Sequence, residues 1–203
     1  ALRNFSLAYY NKKGRKEEAC RLLEKAFELD QTDSRIFMEL DQLYKKMGRA
    51  HAERLTFLEA HLELVAQRDD LCIERITLYN QLGNYEKARE LIAARKFHPW
   101  EGGEGKVTGQ YILCRVELAK KAIKEKRYLE AISLLKETDH YPHNLGEGKL
   151  INAEENEVDY YKGIAYQKLG NEAESIKYLM KATQGSSEPQ QAFYYNDQQP
   201  DKI

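Results

Sequence analysis

No stretch of this chain offers eighteen consecutive apolar residues, so no segment reads as a membrane-spanning helix. Neither sign of charge predominates. Thirty-two Lys and Arg against thirty-three Asp and Glu give a formal net charge of −1 over 203 residues. The field that drives sequence-independent binding to nucleic acid or to an acidic membrane surface is therefore missing. Cysteine is scarce and odd in number: Cys20, Cys72 and Cys114 lie far apart, each within a helical pattern beside apolar neighbours. That excludes a disulfide framework and points to small reduced residues at helix packing faces. No signal or transit peptide is visible. The chain begins at Ala1 and its last residues read as an unfinished loop, so it is expected to be a piece of a longer protein. Its compartment stays open, with cytoplasm preferred to periplasm.

What the chain does contain is repetition. "EEACRLLEKAFELD", "HAERLTFLEAHLEL", "EKARELIAARKFHP", "LEAISLLKETDHYP" and "AESIKYLMKATQGS" superimpose as the second half of a repeating unit. A mostly small position holds Ala19, Glu53, Ala88, Ala131 and Ser175. A large apolar side chain follows four residues later: Leu23, Phe57, Ile92, Leu135 and Leu179. Three further on stand Ala26, Ala60, Arg95, Thr138 and Ala182. Steps of four and three share one helix face, and small residues there let a neighbouring helix approach closely.

Ahead of each such helix lies another, usually closed by glycine: Gly14, Gly48, Gly83 and Gly170. Glycine suits the left-handed residue that ends a helix. An aromatic stands four residues before it, as Tyr10, Tyr44, Tyr79 and Tyr166. In the fourth unit Ala122 and Lys126 replace the aromatic and the glycine. This pattern, with Gly163 and Tyr166 at the proper separation and Pro99 and Pro142 closing two units, resembles the tetratricopeptide repeat. The resemblance implies an all-α, right-handed solenoid of about five helix-turn-helix repeats. The expected units are 1–32, 33–67, 68–107, 108–150 and 151–185 of one domain, with 186–203 beginning a further segment.

Successive small positions are separated by 34, 35, 43 and 44 residues, from 19 through 53, 88 and 131 to 175. The two long steps contain glycine-rich insertions, "PWEGGEGKV" and "PHNLGEGKL". Both read Pro-x-x-x-Gly-Glu-Gly-Lys. Neither is a P-loop: Trp100 and His143 stand where the first glycine belongs, Val107 and Leu150 replace the magnesium-binding hydroxyl, and a helix precedes each loop. Two roles are expected of these loops. Glycines would permit compact connections while Glu and Lys bond backbone groups and cap the next helix, or the loops would form a rim presenting Trp100, Glu104, Lys106, Glu147 and Lys149 to a partner. "RKFHPWEGGEGKV", "YPHNLGEGKL", "HAERLTFLEAH" and "FYYNDQQPDKI" also resemble the C-terminal repeat region of large bacterial proteins. The N-terminal part of those proteins is all-β and mutarotase-like.

Catalytic and metal-binding patterns are weak. His98, His140 and His143 sit near carboxylates in the loops, and His140-x-x-His143 would be half of a metal site, but no second pair or cysteine cluster completes it. The acidic pairs Asp69–Asp70 and Glu154–Glu155 sit where helices start, which suits the helix dipole. No cofactor or metal is expected.

The remaining candidate is a concave groove lined by the first helices. It would display Asn11, Arg35, Gln42, Lys45, Lys46, Asn80, Gln81, Lys120 and Lys124 to a peptide's backbone or carboxylate. The Lys and Asn clamp that captures chaperone C-termini is not matched by Asn4 and Ala8. The expectation is a non-catalytic scaffold that binds a protein, a peptide or the parent's N-terminal domain. The alternative is an accessory module of a carbohydrate-active enzyme, lending Trp100, Glu104 and Glu147 to a sugar site.

Overall fold

The computed structural model describes residues 1–149, 153 and 155–184. The expected segment 186–203, Leu150 and Glu154 lie outside the described residues. Among the described residues the fold is all-α, with eleven helices and no strand. None of these helices is long and apolar enough to cross a membrane. The chain forms two compact units, Ala1–Leu82 and one beginning at Gly83. The first holds α1 (Leu2–Lys13), α2 (Lys16–Leu29), α3 (Ser34–Lys46), α4 (His51–Glu59), the short α5 (Leu62–Ala66) and α6 (Asp69–Gln81). The second holds α7 (Tyr85–Ala94), α8 (Lys106–Lys124), α9 (Tyr128–Lys136), α10 (Asn156–Lys168) and α11 (Glu172–Ala182). Within each unit helices pack mainly on their neighbours along the chain, which is the contact pattern of a helical repeat.

Polar side chains open several helices. Asp33 accepts from the amides of Arg35 and Ile36 at 2.9 and 3.1 Å, and Asn171 accepts from Glu174 at 3.2 Å. Asp69 and Asp70 fall in the first turn of α6, as expected, and Asp70 takes the Leu71 amide at 2.8 Å. Three first-helix ends share one device. Arg49, Arg127 and Asn171 each return an N–H to the carbonyl five residues back, on Tyr44, Ala122 and Tyr166. The residue between is left-handed in every case: Gly48, Lys126 and Gly170. Lys126 thus keeps the backbone of the glycine it replaces, with φ of 61°, and no other non-glycine among the described residues has a positive φ.

The packing face follows the expected four-three spacing with one correction. Ala19, Leu23 and Ala26 are buried on α2, Ala88 and Ile92 on α7, Ala131 and Leu135 on α9, and Ser175 and Ala182 on α11. On the opposing helix Gly163 lets α11 come close, since a Cβ there would sit 2.7 Å from Leu179 Cγ. In the second repeat the register moves by one residue. Glu53 is exposed and Phe57 only partly buried, while Arg54 and Leu58 take the buried positions. Glu53 keeps its carboxylate in water. Arg54 has two buried partners: its guanidinium donates to Asp41 at 3.1 and 2.7 Å and to Glu74 at 2.6 Å.

Arg54 is 1% exposed and Asp41 0%. Burial drives the Asp41 carboxyl above its ordinary range in spite of Arg54. Burial also pushes Glu74 up, but hydrogen bonds from Arg54 and Lys45 outweigh it and leave that carboxyl below its ordinary value of 4.5. In the same unit Phe27, Phe37, Phe57 and His61 pack on one another, with Phe37 and Phe57 rings 4.6 Å apart. The cysteines behave as expected. Cys20 and Cys114 are buried and Cys72 is partly so, and burial with Glu24 pushes the Cys20 thiol up to about 11.

Three outcomes follow from these placements. Replacing Lys126 by glycine removes left-handed strain and should raise unfolding free energy by about 1 kcal/mol in denaturant titration. Arg54→Ala strands the buried Asp41 carboxylate and should cost about 3–5 kcal/mol. Because Glu74 is depressed in the folded state, its stabilisation is present above its unfolded value and lost as pH falls through the folded one. Glu74→Gln should therefore reduce the loss of stability seen as pH falls below about 4.5.

Candidate functional site

Within each unit the first helices already pair much of the charge proposed for the groove. On the first unit, Arg3 on α1 donates to Glu39 on α3 at 2.6 Å, and Arg35 reaches the same carboxylate at 3.4 Å. Lys45 on α3 spans to Glu74 on α6 at 2.9 Å. On the second unit Lys120 binds Glu117 and Glu157, each at 2.6 Å, joining α8 to α10. Burial lowers the Lys120 pKa, but these two carboxylates more than reverse it. Asn80 must be corrected: it is 3% exposed, because the α6 positions around it, Ile76 and Leu78 among them, face inward. Asn11, Lys46, Gln81 and Lys124 are exposed, and Gln42 is half-buried. Lys46 lies over the Tyr10 ring at 5.1 Å.

The two Gly-Glu-Gly-Lys loops both belong to the second unit, and they are not equivalent. Each closes a turn at the same aligned place, with Gly103 donating to Trp100 O at 3.0 Å and Gly146 to His143 O at 3.2 Å. From there they diverge. Gly102 and Gly105 are left-handed in the first loop, but only Gly146 in the second. Gly146 has a further reason to lack a side chain, since a Cβ there would meet Phe97 O at 2.6 Å.

The second loop clasps the first. Phe97 N–H donates to Asn144 O at 2.7 Å, and the Asn144 amide donates to Ile92 O and Arg95 O at 2.8 and 2.9 Å. Phe97 and Leu145 are both 1% exposed and anchor the pair. Glu147 reaches across to the start of α8, accepting from the Gly105 amide at 3.0 Å and the Thr108 hydroxyl at 3.1 Å. A carboxylate is favoured there because the first amides of a helix are unsatisfied and carry partial positive charge. Lys149 turns the other way and donates to the carbonyls of Thr138 and Asp139, just past α9, at 2.9 and 3.3 Å. It also pairs with Glu155 at 2.5 Å.

The expected rim therefore divides. Glu147 and Lys149 are consumed as caps, while Glu104 and Lys106 are exposed. Trp100 is half-buried and rests on Gly103, where a Cβ would lie 2.1 Å from indole Cε2. An open depression of about 460 Å³ lies between the loops, lined by Pro99, Trp100, Glu101, Glu104, Gly146, Glu147 and Gly148. Sequence reasoning missed Glu101, Thr108 and Asn144. The apolar Phe97 and Leu145 inside polar, glycine-rich stretches were the available signal that both loops are anchored. No group of three or more His, Cys, Asp or Glu among the described residues is arranged to hold a metal ion.

Residues 4–33 and 160–184 match the family model described as the tetratricopeptide repeat. These are the α1–α2 and α10–α11 pairs. The repeats between them are the ones that depart from the pattern, through Arg54, the enlarged loops and Lys126. Solved structures with a similar fold include "MamA AMB-1", 21% identical over 89% of this chain and 87% of that one, with a TM-score of 0.53. "MamA MSR-1" is 21% identical, covering 89% and 91%, with a TM-score of 0.51. "MamA RS-1 ArsTM double mutant" is 14% identical, covering 89% of each chain, with a TM-score of 0.57. The all-α tetratricopeptide-like architecture expected from the repeat is thus the observed one.

The unequal loops give a direct contrast. Glu147→Gln should cost about 1 kcal/mol of stability through loss of the charged cap. Glu104→Gln should leave the chemical unfolding midpoint unchanged.

Proposed function

We propose that this chain is a non-catalytic protein-interaction scaffold. It binds a polypeptide through the first-helix surfaces of its units and through the exposed part of the loop rim. The observation that carries this reading is the unequal use of polar groups. Lys45, Arg35 and Lys120 are tied into ion pairs that stiffen the first helices. Asn11, Lys46, Gln81 and Lys124 remain exposed beside them. Amides and cations on a rigid helical face bind backbone carbonyls and carboxylates without demanding one side-chain sequence. The match of two segments to a repeat family and the shared MamA fold support the same reading. We further place the chain as the repeat module of a larger bacterial protein, with the parent's own N-terminal domain as one partner.

The second reading, an accessory sugar-binding module, rests on Trp100 beside carboxylates. Glu147 is already committed to α8, which leaves Trp100, Glu101 and Glu104 for such a ligand.

Panning the chain against a phage-displayed peptide library tests the scaffold reading. Selected peptides should bind the purified chain in calorimetry, and Asn11→Ala with Lys46→Ala, or Lys124→Ala, should weaken binding about tenfold, or 1.4 kcal/mol, without altering unfolding. Failure to select any peptide, or full affinity in both variants, contradicts it.

A further inference from the structure

The geometry points to the depression between the loops as a receptor for an arginine side chain presented by a polypeptide. This inference rests on the scaffold reading above and names what the rim would take. The lining holds three carboxylates, Glu101, Glu104 and Glu147, and no Lys, Arg or His. One of the three is held in place by the Gly105 amide and the Thr108 hydroxyl. The other two belong to exposed residues, one and four positions after Trp100, that line the depression with it.

That indole is a supported platform. It is half-buried and rests directly on Gly103, a contact that no larger residue permits. A guanidinium is planar, stacks on an aromatic face and forms forked hydrogen bonds to carboxylates, so it uses both features at once. An ammonium uses the charge but has no plane to stack. The volume, about 460 Å³, suits one long side chain and its flanking backbone. Gly146 and Gly148 form part of the border, and a Cβ at Gly148 would meet nothing within 4 Å, so a peptide backbone can approach there. A neutral sugar would use the indole but leave the exposed carboxylates without a countercharge.

Trp100 is the single tryptophan of the chain, so its emission reports on this depression alone. The full 203-residue chain should be titrated with capped Gly-Arg-Gly, Gly-Lys-Gly and Gly-citrulline-Gly. The arginine peptide should give a saturable change whose midpoint rises severalfold when NaCl is raised from about 0.05 to 0.5 M, as screening of exposed charge requires. Lysine should bind more weakly, and citrulline, isosteric but uncharged, should give no saturation. The Glu101→Gln, Glu104→Gln double variant, which leaves the loop clasp intact, should lose the arginine response.

An equal response to citrulline, an unchanged response in the double variant, or no saturable change up to about 20 mM peptide overturns the inference. So does a saturable response to neutral oligosaccharides that survives the double substitution. If the tripeptides fail while library-selected peptides still bind through Asn11, Lys46 or Lys124, only the arginine receptor falls. If both fail, the scaffold reading falls with it.

Discussion

The carboxylate of Glu147 decides what the two glycine-rich loops are. By accepting from the Gly105 amide and the Thr108 hydroxyl, it fixes the second loop to the first turn of α8. Phe97, Asn144 and Leu145 close the rest of the seam by hydrogen bonding and burial. Lys149 supplies the complementary charge at carbonyls just past α9. One Glu-Lys pair thus serves the two helix ends whose partial charges it opposes. The other pair, Glu104 and Lys106, has no such duty and faces solvent. Identical letters take different roles because only the second loop lies where it can reach both helix ends.

A similar economy governs charge elsewhere. The near-zero net charge hides a dense internal pairing, in which first helices are tied to one another by Arg3–Glu39, Lys45–Glu74 and Lys120–Glu157. The buried Arg54 links two of these elements to the core through Asp41 and Glu74. Such a network adds little stability over an apolar core, but removing one member leaves an uncompensated charge. A second motif repeats at the same level. Tyr44 donates to Glu24 at 2.9 Å, and thirty-five residues later Tyr79 donates to Glu59 at 2.7 Å. Each joins the second helix of one repeat to the first helix of the next.

The helical repeat was legible because small residues, large apolar residues and closing glycines recur at helical spacing, and each has a steric cause. Lys126 shows the strength of that logic, since the backbone keeps its left-handed turn even where the glycine is lost. The one-residue shift at Arg54 was hidden, because its burial depends on Asp41 and Glu74, thirteen and twenty residues away. The groove positions were read from repeat register alone. Register gives the helix face but not the partner across it, so the ion pairs of Lys45 and Lys120 and the burial of Asn80 could not be seen. For the loops, composition identified candidate caps but could not say which copy would act.

The second loop is a structural clasp, which leaves Trp100, Glu101 and Glu104 of the first loop presented. Amide hydrogen exchange at Gly105, compared between the unaltered chain and Glu147→Ala, tests it most directly. Exchange at Gly105 should be slow in the unaltered chain and become loop-like in the variant, while protection in α10 and α11 is retained. Fast exchange at Gly105 in the unaltered chain would contradict it.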